Sequence, residues 1–126
     1  MRKSLMLIDC RAPTIEHILA IQNVKLNVEH LCVGMFMNPV KTIKPGSSNF
    51  EQYMWLSSNG QIDEIVPYCT EIDLHDIMNF YPMKELWVGK HFSTNSFTGK
   101  DICQNRGVDI KYFDQHLTFN YYTPHS

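Results

Sequence analysis

Thr14 and His17, two side chains that can donate hydrogen bonds to phosphate, follow the first apolar segment of the chain. That segment, residues 4–10, is rich in Leu and Ile, and an amphipathic stretch begins after Pro13. This order predicts a strand, a loop and the first turn of a helix. In a parallel sheet the carboxyl end of such a strand is the usual ligand position, and a helix N-terminus there offers free N–H groups. The sequence therefore predicts an anion site at His17, although a histidine near a helix start is more often a cap or a core group.

The composition is that of one ordinary globular domain. The chain has 126 residues, of which 44% are hydrophobic and 19% charged, and this is enough for a single core. The net charge of −2 argues against a general nucleic-acid binder, which would carry a basic stripe. No apolar run approaches the ~20 residues that span a bilayer. The N-terminal apolar run contains Asp9 and precedes no small-residue cleavage site, so we expect no signal peptide. We predict one domain over residues 1–126, with neither nucleic acid nor membrane as a partner.

The cysteines are widely and irregularly spaced, at Cys10, Cys32, Cys69 and Cys103. They form no C-x-x-C pair and no zinc-site spacing. Three of the four lie in apolar runs, where cysteine behaves as a small hydrophobic residue. We therefore expect reduced thiols in the core and a cytoplasmic location.

Apolar runs of strand length alternate with helical patterns along the whole chain. Strands are predicted at residues 4–10, 30–37, 62–67, 85–89 and 108–113. Helices are predicted to begin at about Thr14, Ser48, Thr70 and Thr98; the first runs to about Asn27, and Gly107 ends the fourth. This alternation predicts βαβ units with right-handed crossovers. The expected fold is a three-layer, Rossmann-like α/β domain with a parallel sheet of about five strands.

Local signals support three of these helices. An N-cap residue followed three positions later by an acidic residue predicts a cap at Ser48 with Glu51, at Thr70 with Asp73 and at Thr98 with Asp101. Apolar residues at helical spacing predict which faces are buried. They are Phe50, Tyr53 and Met54 in the second helix, and Leu74, Ile77 and Met78 in the third.

Four segments of the chain resemble one enzyme family. Residues 62–77 (IDEIVPYCTEIDLHDI) and 97–110 (FTGKDICQNRGVDI) carry most of the similarity, and residues 33–39 and 49–56 align more loosely. On these segments the chain resembles the glycerol-3-phosphate cytidylyltransferases of the HxGH nucleotidyltransferase superfamily. The resemblance implies the nucleotidyltransferase fold. It also implies transfer of a cytidylyl group from CTP, with Mg²⁺, to an alcohol phosphate such as glycerol 3-phosphate, and release of pyrophosphate.

The same resemblance implies a set of site residues. The family signature GTFDxxHxGH aligns with residues 8–17, so His17 matches the second histidine, while Thr14 replaces the first and Glu16 the glycine between them. The implied catalytic residues are His17, Thr14 and Lys44. The implied nucleotide-binding positions are Cys10, Arg11, Asn38, Gln52, His91 and Thr123. Of these, Gln52 stands where the family has a triphosphate-binding arginine, and His91 where it has the acidic residue that contacts cytosine.

Two hypotheses follow from these replacements. The first is a cytidylyltransferase that retains its activity. The second is a weak or inactive relative that serves as a nucleotide-binding or protein-assembly module. The resemblance also implies a homodimer or a larger assembly. The aromatic tail, with Phe119, Tyr121 and Tyr122, is predicted either to fold over the nucleotide crevice or to contact another subunit.

Overall fold

Five strands form one parallel sheet in the computed structural model of the chain, which describes residues 2–8, 15–37, 49–93, 97 and 99–113. The strands are β1 (Lys3–Leu7), β2 (His30–Phe36), β3 (Glu64–Tyr68), β4 (Glu85–Gly89) and β5 (Asp109–Phe113). Their order across the sheet is β3-β2-β1-β4-β5, and every neighbouring pair is parallel. The predicted fold class is confirmed.

Four α-helices connect the strands: α1 (Ile15–Lys25), α2 (Asn49–Ser57), α3 (Glu71–Phe80) and α4 (Lys100–Arg106). A 3₁₀ turn, Lys90–Ser93, follows β4. No helix of the described segments has the length and apolar character needed to cross a membrane.

The helices cover both faces of the sheet because the crossovers run in two directions. The chain moves from β1 through β2 to β3 on one side, and then passes to β4 and β5 on the other. Right-handed crossovers therefore place α1 and α2 on one face and α3 and α4 on the opposite face. The two buried clusters agree with this arrangement. One contains Ala20, Ile21, Val24 and Leu56 from α1 and α2, and the other contains Leu74, Met78 and Cys103 from α3 and α4.

Helix α3 forms as its sequence predicts. The Thr70 hydroxyl accepts a hydrogen bond from the Asp73 backbone N–H, and the Asp73 carboxylate accepts one from the Thr70 N–H, which completes a capping box. Leu74 and Met78 are buried and Ile77 is half-buried. A polar N-terminal cap and one apolar face thus define this helix from its local sequence.

Helix α4 begins differently from the prediction. Its N-cap is Gly99 rather than Thr98, with φ of 87° and no side-chain cap hydrogen bond. Thr98 lies outside the described residues. The reason is packing, since a Cβ at residue 99 would overlap the buried Met78 side chain, so only glycine allows the backbone this approach. The end of α4 is as predicted, because Gly107 adopts the left-handed conformation and donates to the carbonyls of Cys103 and Gln104.

The predicted buried face of α2 is wrong. Phe50, Tyr53 and Met54 are exposed, while Gln52 and Leu56 are buried. Gln52 donates a hydrogen bond from Nε2 to the Phe36 carbonyl at 3.0 Å, which holds its side of the helix against the sheet. The i, i+3, i+4 spacing gives an apolar stripe but does not fix the side on which it lies. The predicted cap residue Ser48 lies outside the described residues.

Strand boundaries shift by a few residues. β1 ends at Leu7, and the rest of the predicted strand, Cys10 included, lies outside the described residues apart from Ile8. β3 continues through Pro67 to Tyr68, whose carbonyl accepts a hydrogen bond from the Met37 N–H at 2.7 Å. Pro67 is tolerated because β3 is an edge strand, so the missing N–H breaks no pairing.

Two of the three described cysteines match the expectation of core thiols. Cys32 and Cys103 are buried, Cys69 is half-buried, and all three are free. Burial raises the pKa of Cys32 to about 11, so this thiol stays protonated at neutral pH. Cys10 lies outside the described residues.

The amino end of the sheet holds two carboxylates, each of which contacts a side chain of a neighbouring strand. Buried Glu85 accepts hydrogen bonds from the Ser4 hydroxyl at 3.1 Å and from Trp87 Nε1 at 3.2 Å, and it pairs with Arg2 at 3.0 Å and Lys111 at 3.4 Å. On the other face, Glu64 accepts a hydrogen bond from the Tyr81 hydroxyl at 2.6 Å and lies 3.0 Å from His30 Nε2. Both groups therefore serve to tie strands together.

Acid is expected to destabilise the domain through these carboxylates. Burial raises the pKa of Glu85, but the hydrogen bonds from Trp87 and Ser4 and the nearby cations outweigh it and lower the pKa overall. The Tyr81 and His30 hydrogen bonds lower the pKa of Glu64. A lowered folded-state pKa means that the stabilisation is present above the ordinary carboxyl pKa and is lost as pH falls through the folded value. We therefore expect the free energy of unfolding, measured with urea, to fall as pH drops below about 4.5.

The variant Glu85→Gln tests this assignment. It should lower stability at pH 7 by about 1–3 kcal/mol and flatten the pH dependence. Glu29→Gln, at an exposed carboxylate before β2, is the matched control and should leave both unchanged. Equal effects of the two variants would contradict the role given to Glu85.

Candidate functional site

The strand order reverses between β1 and β4, and this makes the carboxyl ends of these two strands the candidate site. The chain leaves β1 towards β2 on one side, whereas β4 pairs with β1 on the other side, with Met6 opposite Trp87. Connections that diverge from two adjacent parallel strands leave a crevice at their carboxyl ends. The carboxyl ends of β1 and β4, at Leu7 and Gly89, therefore border one crevice.

His17 lies beside this crevice. It is the third residue of α1, which begins at Ile15 after the carboxyl end of β1 and runs back towards the start of β2. The side chain is half-buried. The positive end of the α1 dipole and an imidazole are thus close together near the carboxyl end of β1. The position of His17 in the first turn of a helix after β1 is as predicted, and its binding of an anion stays a prediction.

Glu16 precedes His17 and carries a negative charge, whereas an anion site needs a positive one. It is half-buried in the first turn of α1, where a carboxylate interacts favourably with the helix dipole. The same carboxylate repels a phosphate that approaches the helix N-terminus. The Glu16 charge therefore opposes phosphate binding at this helix end.

Gln52 lies near the carboxyl end of β2, but its side chain points into the core. It is 1% exposed, and Nε2 is used by the Phe36 carbonyl. A carbonyl can only accept, so the amide nitrogen has to face it, and the amide oxygen is left without a donor among the described residues. An oxygen acceptor cannot bind phosphate oxygens, so Gln52 does not take the place of the arginine that the resemblance implies here.

The other predicted residues are distributed as follows. The backbone of His91 lies in the 3₁₀ turn directly after β4, at the reversal of strand order. Six predicted positions lie outside the described residues: Cys10, Arg11, Thr14, Asn38, Lys44 and Thr123. The topology thus brings His17 and the segment containing His91 to the same end of the sheet.

Lys90 is a candidate that the sequence analysis missed. It is exposed and follows the last residue of β4, at the crevice between β1 and β4. A cation at this position can attract the phosphates of a nucleotide. The sequence alone could have indicated Lys90, because this residue directly follows the strand predicted at residues 85–89.

A resident metal site is not found in the described part of the chain. No three His, Cys, Asp or Glu side chains come together there as metal ligands. Magnesium in nucleotide enzymes is commonly held by substrate phosphates with one or two carboxylates.

Comparison with known proteins adds no relative to this picture: no protein-family model and no curated protein matches the chain.

Proposed function

We propose that the domain binds CTP at the crevice between β1 and β4 and transfers its cytidylyl group to an alcohol phosphate such as glycerol 3-phosphate. The observation that carries the proposal is the placement of His17 in the first turn of α1, beside the reversal of strand order. The sequence resemblance indicates the type of reaction and the nucleobase, which is cytosine. The exposed Lys90 adds a cation at the same end of the sheet.

The proposed reaction is a single in-line displacement. A phosphate oxygen of the alcohol phosphate attacks the α-phosphorus of CTP, and pyrophosphate leaves from the opposite side. His17 donates hydrogen bonds to the α-phosphoryl oxygens, where charge is redistributed in the transition state, and Thr14 supplies a second, neutral donor. Lys44 and Lys90 hold the pyrophosphate end. Mg²⁺ bound to the triphosphate would neutralise part of its charge.

A second candidate function is nucleotide binding or assembly without turnover. Two observations favour it. The amide of Gln52 is turned into the core at the position of the implied arginine, and the Glu16 carboxylate lies next to His17. Both reduce the positive potential that a triphosphate requires.

A thermal-shift screen with nucleoside triphosphates and Mg²⁺ tests the proposal. Ligand at one hundred times its Kd adds about 2.7 kcal/mol to the free energy of unfolding. For a domain of this size we expect CTP to raise the Tm by on the order of 10 °C. A shift accompanied by pyrophosphate release with an alcohol phosphate supports the enzyme. A shift without release favours the second candidate, and no shift with any nucleotide contradicts both nucleotide-binding versions.

The two lysines that flank β4 provide a matched pair for the same assay. Lys84 precedes β4 at the amino end of the sheet and Lys90 follows it at the carboxyl end, and both are exposed. Lys90→Ala should weaken CTP binding about 10-fold, as expected when one charge-assisted contact is lost. Lys84→Ala should leave CTP affinity unchanged. Equal affinities of the two variants would remove Lys90 from the site without affecting the role of His17.

A further inference from the structure

The face of the sheet that carries α1 and α2 has described helices over only three of its five strands. α1 connects β1 to β2 and α2 connects β2 to β3, so these helices lie over β1, β2 and β3. Helices α3 and α4 pack on the opposite face. On the α1 side, no α-helix of the described residues lies over β4 and β5. A parallel sheet is normally covered on both faces, so this part of it is expected to have an occupant.

Alternation along β4 and β5 defines the side chains on this uncovered part of the sheet. Phe113 belongs to the buried cluster that contains the α1 residues, and Trp87 packs against the same cluster, so both point to the α1 side. The residues two positions before them share their direction. We call the resulting set the β4/β5 face; it comprises Glu85, Trp87, Asp109, Lys111 and Phe113.

The middle of the β4/β5 face is less buried than the strand beside it. Met6 of β1 lies in register with Trp87 and is 0% exposed. Trp87 itself is only half-buried, and Lys111, its partner in β5, is exposed. The Lys111 ammonium lies 5.9 Å from the centre of the Trp87 ring. An aromatic side chain in the middle of a sheet thus keeps surface that a further segment can cover.

The charges beside Trp87 balance one another. Glu85 pairs with Arg2 at 3.0 Å and with Lys111 at 3.4 Å, and Arg2 also lies 3.5 Å from Asp109. Two cations and two carboxylates leave no excess charge to attract a charged partner. The β4/β5 face therefore suits an occupant that is aromatic and carries little charge.

Residues 114–126, which lie outside the described residues, have this composition. Leu117, Phe119 and Tyr121 alternate with polar residues, a pattern typical of an extended segment with one apolar side. The segment contains neither Lys nor Arg, and Asp114 is its one acidic residue. Aromatic residues at this density are unusual in a segment that stays in solvent.

The same segment starts at the right place and is long enough. It follows Phe113, whose side chain is already on the β4/β5 face. Neighbouring strands are about 5 Å apart, and one extended residue spans about 3.3 Å. A few residues therefore suffice to pass from β5 to β4, and the aromatic positions fall within that reach.

We propose that residues 114–126 dock on the β4/β5 face of their own chain and cover Trp87 with their aromatic side chains. The uncovered strands, the balanced charges and the aromatic segment that begins at this face all favour the same occupant. The contact is independent of the proposed nucleotide site, since it lies on the face of the strands and not at their carboxyl ends.

Trp87 reports on this contact when it is the sole tryptophan. The chain has two, and Trp55→Phe removes the other, which is half-buried on α2. In this full-length background, Phe119→Ser combined with Tyr121→Ser should raise the acrylamide quenching constant of Trp87 about twofold, because the aromatic side chains that cover it are lost. Asn120→Ser, at the polar position between them, is the matched control and should leave the quenching constant unchanged.

The reciprocal background, Trp87→Phe, separates loss of the contact from loss of the fold. There the quenching constant of Trp55 should be the same with and without the substitutions at Phe119 and Tyr121. If these substitutions expose both tryptophans, the variant has unfolded, and nuclear Overhauser effects in the unaltered chain then decide. Effects between the Trp87 indole and the Phe119 ring support the proposal, and their absence overturns it.

Three further results would contradict docking in the same chain. Unchanged quenching of Trp87 in the folded double variant would show that residues 114–126 do not cover it. A loss of CTP affinity with unchanged quenching would place the segment over the crevice. Quenching of Trp87 that varies with protein concentration would mean that a second copy supplies the cover. The quenching is measured without nucleotide, so it stands even if CTP does not bind.

Discussion

His17→Ala is expected to lower pyrophosphate release from CTP about 100- to 1000-fold, because one preorganised donor to a developing charge contributes about this much to turnover. Release is measured with CTP, Mg²⁺ and glycerol 3-phosphate at saturating concentrations. CTP affinity, followed by the thermal shift, should change much less, since the donor acts mainly when charge moves in the transition state. This split between turnover and binding distinguishes a catalytic residue from one that only shapes the helix.

His75→Ala is the control for this experiment. His75 is an exposed histidine of α3, in the layer on the other face of the sheet from α1. Its replacement removes the same side chain without touching the crevice and should leave release unchanged. If His17→Ala turned over as fast as the unaltered chain, the donor would lie elsewhere and the match of His17 to the family signature would have no catalytic meaning.

The loss of turnover that follows removal of one donor also indicates how much activity to expect from the unaltered chain. Two donors of the resembled family are replaced, by Thr14 and by Gln52, and each loss is worth about 10²–10³ in turnover. Enzymes commonly accelerate their reactions by about 10⁶-fold or more. Two such losses would leave an ordinary enzyme with a small fraction of its rate acceleration, unless Thr14 and Lys90 supply hydrogen bonds or charge in place of the lost donors. Slow turnover with clear CTP binding is therefore the expected behaviour.

The sheet and one helix could be predicted from the sequence because their signals are local. The apolar run that became β2 is buried at its five central positions, as a strand covered on both faces should be. Thr70 and Asp73 complete their capping box within four residues. Neither feature depends on a distant partner, so the chain pattern alone contains the information.

The orientation of α2 could not be predicted because it depends on a contact between distant residues. The helix is held by a hydrogen bond from Gln52 to the Phe36 carbonyl, 16 residues away. A polar residue in the core and a phenylalanine in solvent both contradict the usual partition of side chains. Sequence reasoning assigns such a stripe to the core by default, and the default fails here because the Gln52 contact turns the other side of the helix towards the sheet.

The sequence predicts a site at the carboxyl end of the first strand, and this stays a prediction. The βαβ alternation predicts a parallel sheet, but the strand order that places the crevice between β1 and β4 is seen only in the structure. His17 follows from its place at the start of α1. Gln52 could not be judged from alignment alone, because its role depends on which way the amide faces, and that is set by the Phe36 carbonyl.

Gly99→Ala is expected to destabilise the domain by about 2–5 kcal/mol. Two costs add at this position. The φ of 87° is unfavourable for any residue with a Cβ, by about 1–2 kcal/mol. The new methyl group would also overlap the Met78 side chain, which is fully buried between α3 and α4, and overpacking of a core costs about 1–3 kcal/mol. Urea unfolding at neutral pH measures the total.

Two other glycines separate these costs. Gly107 has a φ of 75° but open space around its Cβ position, so Gly107→Ala should show the backbone cost alone, about 1 kcal/mol. Gly60 has neither a positive φ nor a close neighbour, so Gly60→Ala should stay within about 0.5 kcal/mol of the unaltered chain. The order Gly99, Gly107, Gly60 is the expected result. If Gly99→Ala cost no more than Gly107→Ala, the contact with Met78 would not be what selects glycine there.

A double variant tests the same contact directly. Met78→Ala alone should cost about 2–5 kcal/mol, because it leaves a cavity between α3 and α4. With Met78 shortened, the methyl group of Gly99→Ala has room, so the double variant should be more stable than the sum of the two single effects predicts, by about 1–2 kcal/mol. Simple additivity would mean that the backbone of residue 99 moves away from Met78 on substitution. In that case the left-handed conformation alone would explain why α4 begins at a glycine rather than at the predicted threonine cap.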